Sequence, residues 1–262
     1  MEWREAGGVR WLEASLPGAT AVFSTRLGGA SEPPFGSLNL GAFTDDERGA
    51  VVENRRRLAA ALGFPPERIA IGRQVHGAEL ATHTGPQAPG PFADLGRAIP
   101  EVDGHVTAET SLPLLVFVAD CVPVALSGPG GVAMLHCGWR GLAAGIVSRG
   151  AAAVGATHAA IGPGIGPCCY EVGEEVLAAL TPAADGPKTS PSVPKSSRRQ
   201  RGRAVAVDLV GVATRQLRGA GVEEIESAGL CTCCEEDLFF SHRRDGGSGR
   251  QGGLIWMDAG RG

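Results

Sequence analysis

Two imidazoles and one thiol stand out among the polar residues of this 262-residue chain. His76 lies in Gln74-Val75-His76-Gly77, Cys121 closes the apolar run from Pro113, and His136 opens His136-Cys137-Gly138-Trp139-Arg140-Gly141. If they converge, two neutral imidazoles and a thiolate form an open tetrahedral metal site, leaving the fourth position to water, hydroxide or a substrate atom. A bound cation would hold the cysteine as thiolate. The same residues also support a covalent mechanism in which Cys121 is the nucleophile and one histidine its base. Their spacing lacks the local pattern of a zinc finger, so three unrelated residues is the competing reading. Asp120 could orient a histidine or assist a proton transfer, although an acidic residue closing a strand is commonly a turn-former.

Arginines supply the second set of candidates. Arg26 follows a strand-like segment, Arg140 lies in the Gly-Trp-Arg-Gly turn, Arg243 and Arg244 follow Phe239-Phe240-Ser241-His242, and Arg250 sits in a glycine-rich stretch. Planar guanidinium groups in loops suit bidentate recognition of phosphate or carboxylate, which points to an anionic substrate. Surface solubility competes with that reading, because Lys188 and Lys195 are the chain's only lysines. The loop Gly162 to Gly166 could aim backbone N–H groups at an anion, yet it matches no nucleotide-binding glycine pattern and reads as a tight turn. Cys231, Cys233 and Cys234 with Cys168 and Cys169 invite a second zinc site, since Cys231 and Cys234 have C-x-x-C spacing. No second C-x-x-C completes it, so these are read as buried thiols. The zinc nucleobase deaminase pattern is also absent, because Pro167-Cys168-Cys169-Tyr170 lacks the second spaced cysteine.

The elements that must position these groups follow from hydrophobic pattern. Ala19 to Ser24 and Pro113 to Ala119 read as strands, the second buried on both faces; Gly131 to Leu135, His158 to Ile161, Glu223 to Ala228 and Gly253 to Met257 are further strand candidates. Helical patterns cover Asp46 to Leu62, Leu142 to Val154, Gly173 to Leu180 and Asp208 to Leu217, with Asp208 as N-cap. The run Arg55-Arg56-Arg57 reads as a solvated face. Gln87 to Pro100 is a loop, and Thr181 to Arg203 shifts abruptly to Pro, Ser, Lys and Arg without apolar period, which marks a loop or linker. Cys121 and His136 thus fall at strand ends, where a rigid sheet positions groups that loops leave accessible.

Composition narrows the class. A chain 43% hydrophobic and 20% charged has ordinary globular content, and its net charge of −4 gives no basic field, so nucleic acid is not the expected partner. Glu2, Arg4, Glu5, Arg10 and Glu13 interrupt any signal-peptide core, and no window approaches a membrane span, so no membrane partner is expected. Seven cysteines, an odd number, suit a reducing cytoplasmic setting. Six histidines without a His-x-His pair cannot build both a trinuclear copper cluster and a blue-copper site.

Taken in order, Phe23-Ser24-Thr25-Arg26-Leu27-Gly28-Gly29, Leu38-Asn39-Leu40-Gly41, Gln74-Val75-His76-Gly77, Ala119-Asp120-Cys121-Val122-Pro123, His136-Cys137-Gly138-Trp139-Arg140-Gly141, Ile161 to Gly166, and Cys231-Thr232 with Phe239-Phe240-Ser241-His242-Arg243-Arg244 resemble one family. The chain is similar to the YfiH-type laccase-domain family from about Phe23 to Arg250. Members have been labelled multicopper polyphenol oxidases, peptidoglycan editing factors and purine nucleoside phosphorylases. The resemblance implies an α/β (α+β) layered sandwich, with central sheets flanked by helices in two similar halves. It implies one domain over residues 1–262, in which 181–203 is a loop insertion. Cys233 departs from the family pattern, standing where an aromatic residue is frequent.

By the same resemblance, His76, Cys121 and His136 are the metal-binding and catalytic set, with zinc the expected ion and copper the alternative. One such site is not a four-copper relay, so the oxidase label would need adventitious copper. Phosphorolysis fits better: adenosine, inosine, guanosine or methylthioadenosine would be cleaved with phosphate, held by Arg26, Arg140, Arg243 and Arg244, and adenosine deamination would be a side activity. The alternatives are a hydrolase acting on peptidoglycan precursors through Cys121, and a binder that takes purines without turnover. A cytoplasmic monomer or small homo-oligomer is expected.

Overall fold

Apolar segments alternating in and out with period two build two stacked sheets, seen in a computed structural model that describes residues 1–87, 90–181 and 205–259. The chain opens with β1 (Glu2–Ala6), β2 (Val9–Leu16) and β3 (Ala19–Ser24), then α1 (Arg48–Ala61). There follow β4 (Leu80–His83), β5 (Gly104–Thr107), β6 (Leu114–Val118), β7 (Val122–Gly128) and β8 (Gly131–Cys137). Next come α2 (Trp139–Ala143), α3 (Ile146–Val154), β9 (His158–Ile161), β10 (Glu171–Val172), α4 (Glu174–Leu180) and β11 (Val205–Ala206). The last elements are α5 (Leu209–Gly219), β12 (Glu224–Ser227), α6 (His242–Asp245) and β13 (Gln251–Met257).

One sheet runs β1-β2-β3-β13-β6 and is antiparallel throughout. The other runs β12-β9-β7-β8-β5-β4, with parallel pairs at its two edges. Alternation assigns each side chain to a layer: Ala21 and Phe23 of β3, Ile255 of β13 and Met134 of β8 fill the space between sheets. Val22, Leu254 and Leu115 face outward onto Leu58 and Ala59 of α1. Val124, Leu126 and Leu135 face the other way, onto Ile146 and Val147 of α3 and Leu217 of α5. The result is a four-layer sandwich, and each fully buried large side chain contributes about 1.5–3 kcal/mol. The sheets approach closely at Gly253, where an added Cβ would lie 2.5 Å from Met134 Cε and 2.6 Å from Pro123 Cβ.

Most expected elements form, with instructive differences. The single helix expected from Leu142 to Val154 is two, because Gly145 takes φ 81° between α2 and α3. The expected loop 181–203 lies, apart from Thr181, outside the described residues. The solvated reading of Arg55-Arg56-Arg57 holds for Arg56 but not for Arg55, which is buried. Its Nε donates to Leu40 O at 2.9 Å and its Nη1 to Phe92 O at 3.0 Å, while the guanidinium lies over the Phe92 and Phe117 rings. Carbonyls that turn inward from loops need a donor there, and a long cationic fork reaches them all. Replacing Arg55 by Met should therefore cost about 3 kcal/mol through unsatisfied buried carbonyls, read as a lowered urea midpoint at unchanged slope. A loss under about 1 kcal/mol would refute this role.

Candidate active site

The short link between β6 and β7 carries Cys121. Asp120, just before it, adopts φ 90°. Its carboxylate accepts from Thr232 Oγ1 at 2.7 Å and from the Arg243 backbone N–H at 2.7 Å. It therefore clamps the chain's later loops to the strand end, and orients no histidine. That task belongs to Asp103, the fully buried residue before β5. Asp103 Oδ1 meets His136 Nδ1 at 2.7 Å, and the carboxylate accepts the N–H groups of Val75, His76 and Gly77 at 3.1, 2.9 and 2.6 Å. One carboxylate thus fixes both the His136 ring and the loop in which His76 holds φ 61°.

This arrangement brings the sequence-predicted set together. The ligand atoms of His76, Cys121 and His136 lie within 4.8 Å of one another, and the two imidazoles meet edge to face with centroids 5.0 Å apart. With Nδ1 of His136 held by Asp103, Nε2 remains for a cation. Gly138 leaves the space, since a Cβ there would come within 3.0 Å of Cys121 Sγ and 3.2 Å of His76 Cδ2. Exposure is graded, from exposed His76 through half-buried Cys121 to buried His136, so the group opens to one side. Two neutral nitrogens, one sulfur and a carboxylate behind one imidazole fit an open zinc-type site.

In the metal-free protein these groups favour an ion pair, thiolate on Cys121 and imidazolium on His136, and a cation would have to displace the His136 proton. Burial pushes the Cys121 thiol up, but the His136 charge and hydrogen bonds from both histidines outweigh it and lower it to about 6. Burial likewise pushes His136 down, yet the Cys121 and Asp103 charges raise it to about 9. Neighbouring Cys137 is driven up by burial and stays a thiol.

Comparison with known proteins places this arrangement. The family model described as multi-copper polyphenol oxidoreductase laccase matches residues 20–258. The chain belongs to that laccase family. It is 41% identical to a protein of Geobacillus stearothermophilus named purine nucleoside phosphorylase YlmD, covering 94% of this chain and 92% of that one. The crystal structure of YlmD from that organism superposes with a TM-score of 0.83 at 39% identity, covering 98% of each chain. That of the Bacillus licheniformis hypothetical protein YfiH also gives 0.83, at 31% identity over 98% of this chain and 99% of the other.

In this member of the laccase family the predicted arginines divide. Arg140 is exposed over the Trp139 ring and Arg243 over Tyr170. Tyr170 itself is pushed up first by burial and then by the Cys121 charge, and pulled down by Arg243 and Arg140, so these groups share one electrostatic neighbourhood. Arg243 also donates through Nη1 to Cys169 O and Glu171 O, and Arg244 donates to the carbonyls of Thr232, Cys233 and Phe239 and pairs with Asp245. Arg26 donates to Gly36 O and Glu236 O and lies over Phe240. All three brace loops.

Two site residues escaped the sequence reading. Asp103 carries no spacing signal, because an Asp-Gly pair before a strand looks like a turn. Tyr170 carried one, as the chain's single tyrosine. The reading of buried thiols is also corrected: Cys168, Cys169, Cys231 and Cys234 converge, and Cys168 and Cys234 are exposed. Of the six histidines, His83 and His105 pair with each other at 3.0 Å. Among the described residues two groups of metal-type ligands converge, of which one contains histidine.

The lowered thiol has a direct readout. Thiolate exists above the folded pKa, so alkylation of Cys121 in metal-stripped protein should rise to half its maximal rate near pH 6. In a His136→Ala variant the midpoint should move up toward the ordinary cysteine value of about 8.5. A wild-type midpoint already at that ordinary value would contradict the His136 to Cys121 coupling.

Proposed function

We propose that the chain is a purine nucleoside phosphorylase working at His76, Cys121 and His136. The observation that carries this is 41% identity, over nearly the whole length, to a protein so named. The convergent donor set supports it. Phosphorolysis forms a bond between a phosphate oxygen and the ribose anomeric carbon while the bond to the purine nitrogen breaks and its electron pair goes to the base. Positive charge grows on the ribose and negative charge on the purine, so the site must hold an anion on one side and stabilise the leaving base on the other.

The residues divide along those lines. Arg140 and Arg243, beside Tyr170, take the phosphate through charge-assisted hydrogen bonds. Arg26 and Arg244 keep the Phe239–Arg244 segment in place, so their contribution to phosphate binding runs through Arg243. Asp103 orients His136, and Asp120 fixes the Arg243 backbone. A zinc ion held by His76, Cys121 and His136 would supply Lewis acidity for the leaving purine or for a water. Adenosine, inosine, guanosine and methylthioadenosine are the proposed substrates. Deamination at C6 of adenosine is the proposed side activity. A second reading has its own support in the thiol lowered to about 6, which suits Cys121 as nucleophile on a peptidoglycan-precursor amide.

Base release from the four nucleosides, with and without phosphate, separates these readings. Release should require phosphate and fall at least about a thousandfold in Cys121→Ala. Arg243→Ala should raise the KM for phosphate about tenfold with a smaller change in kcat, because it removes ground-state binding. Chelation should abolish turnover and zinc restore it. Release independent of phosphate, or none alongside stoichiometric acylation of Cys121, would overturn the phosphorylase reading.

A further inference from the structure

Outside the His-Cys-His group, four sulfurs meet at the surface. We infer that Cys168, Cys169, Cys231 and Cys234 bind a second, structural zinc ion that clasps the loop after β9 to the loop after β12. Their Sγ atoms all lie within 4.8 Å of one another, and Cys234 Sγ is 3.5 Å from both Cys168 Sγ and Cys169 Sγ. Four sulfurs about 2.3 Å from one zinc sit about 3.8 Å apart, a separation that lies within the 3.5 to 4.8 Å range of these sulfurs.

The chain builds this cage without two C-x-x-C motifs. On one side the turn after Gly166, closed by Cys169 N–H and Tyr170 N–H on Gly166 O, presents two adjacent cysteines. On the other, Cys234 N–H and Glu235 N–H close on Cys231 O, which is the turn that C-x-x-C spacing makes. Gly166 N–H donates to Cys231 Sγ at 3.1 Å. A backbone N–H on sulfur favours thiolate, the form a metal needs. Four thiolates around a divalent cation leave two net negative charges. Arg243, whose Nη1 donates to Cys169 O, and Arg244, whose Nη1 donates to Cys233 O, stand beside them. Cys169 and Cys231 are half-buried against the core while Cys168 and Cys234 are exposed, so a metal would fix the outer pair to the inner one.

The clasp has a mechanical consequence. Gly164 and Cys231 already form an isolated β-bridge, and Thr232, next in sequence, donates to Asp120 beside Cys121. Fixing the two loops therefore fixes Tyr170 and the backbone that Arg243 grips. This last step alone rests on the phosphate role proposed above; the metal site does not.

The test is metal content and thiol protection in zinc-purified protein. The Cys121→Ala variant should retain one zinc per chain, and Cys168→Ser/Cys234→Ser on that background should retain none. Cobalt in the Cys121→Ala variant should show the intense visible bands of a tetrahedral tetrathiolate. In wild type, exposed Cys168 and Cys234 should resist alkylation until chelator is added, a readout that needs no variant to fold. Zinc-free Cys121→Ala protein with rapidly alkylated Cys168 and Cys234, or a disulfide among the four, would overturn the inference. If this zinc is found and no phosphorolysis is, the clasp stands and the catalytic reading fails.

Discussion

A single buried carboxylate organises the site. Asp103 is taken out of water entirely, a cost of several kcal/mol unless hydrogen bonds offset it. Three backbone N–H groups from the Val75–Gly77 loop and the His136 imidazole do so. The arrangement works in both directions, because the same bonds that keep the carboxylate ionised pin the loop bearing His76 and select the His136 tautomer. Without Asp103, His76 would sit on an untethered loop at a positive φ that histidine adopts at a cost.

The sheet supplies the other half of the geometry. Cys121 begins where β6 of one sheet passes directly to β7 of the other, so the residue is positioned by both layers at once. His136 stands near the end of β8 in register with Pro123, and its own N–H donates to Asp103 O. Only small residues allow this density: Gly138 opens space beside the sulfur and Gly253 lets the sheets close. Site and core are therefore one packing problem, and a void or an added methyl group in the inter-sheet layer would move the ligands.

Legibility in the sequence followed how local each signal was. The apolar runs of β3 and β9 gave bounds that the structure reproduces, Ala19–Ser24 and His158–Ile161. The hairpin β1–β2 went unread because β1 is a charged, exposed edge strand, with polar residues where a core strand would alternate. His76, Cys121 and His136 were legible by type and strand-end position. Asp103 was not, since its role arises from contacts 26 to 33 residues away that no spacing rule encodes. Arg55 looked like surface charge for a similar reason: the carbonyls that draw it inward belong to distant loops.

The account turns on how the glycosidic bond is broken. Phosphorus NMR of the protein incubated with inosine and inorganic phosphate follows the fate of the ribose directly. Ribose 1-phosphate growing in step with hypoxanthine is the predicted result. Free ribose with unconsumed phosphate would mean hydrolysis, and would contradict the proposed phosphorolysis.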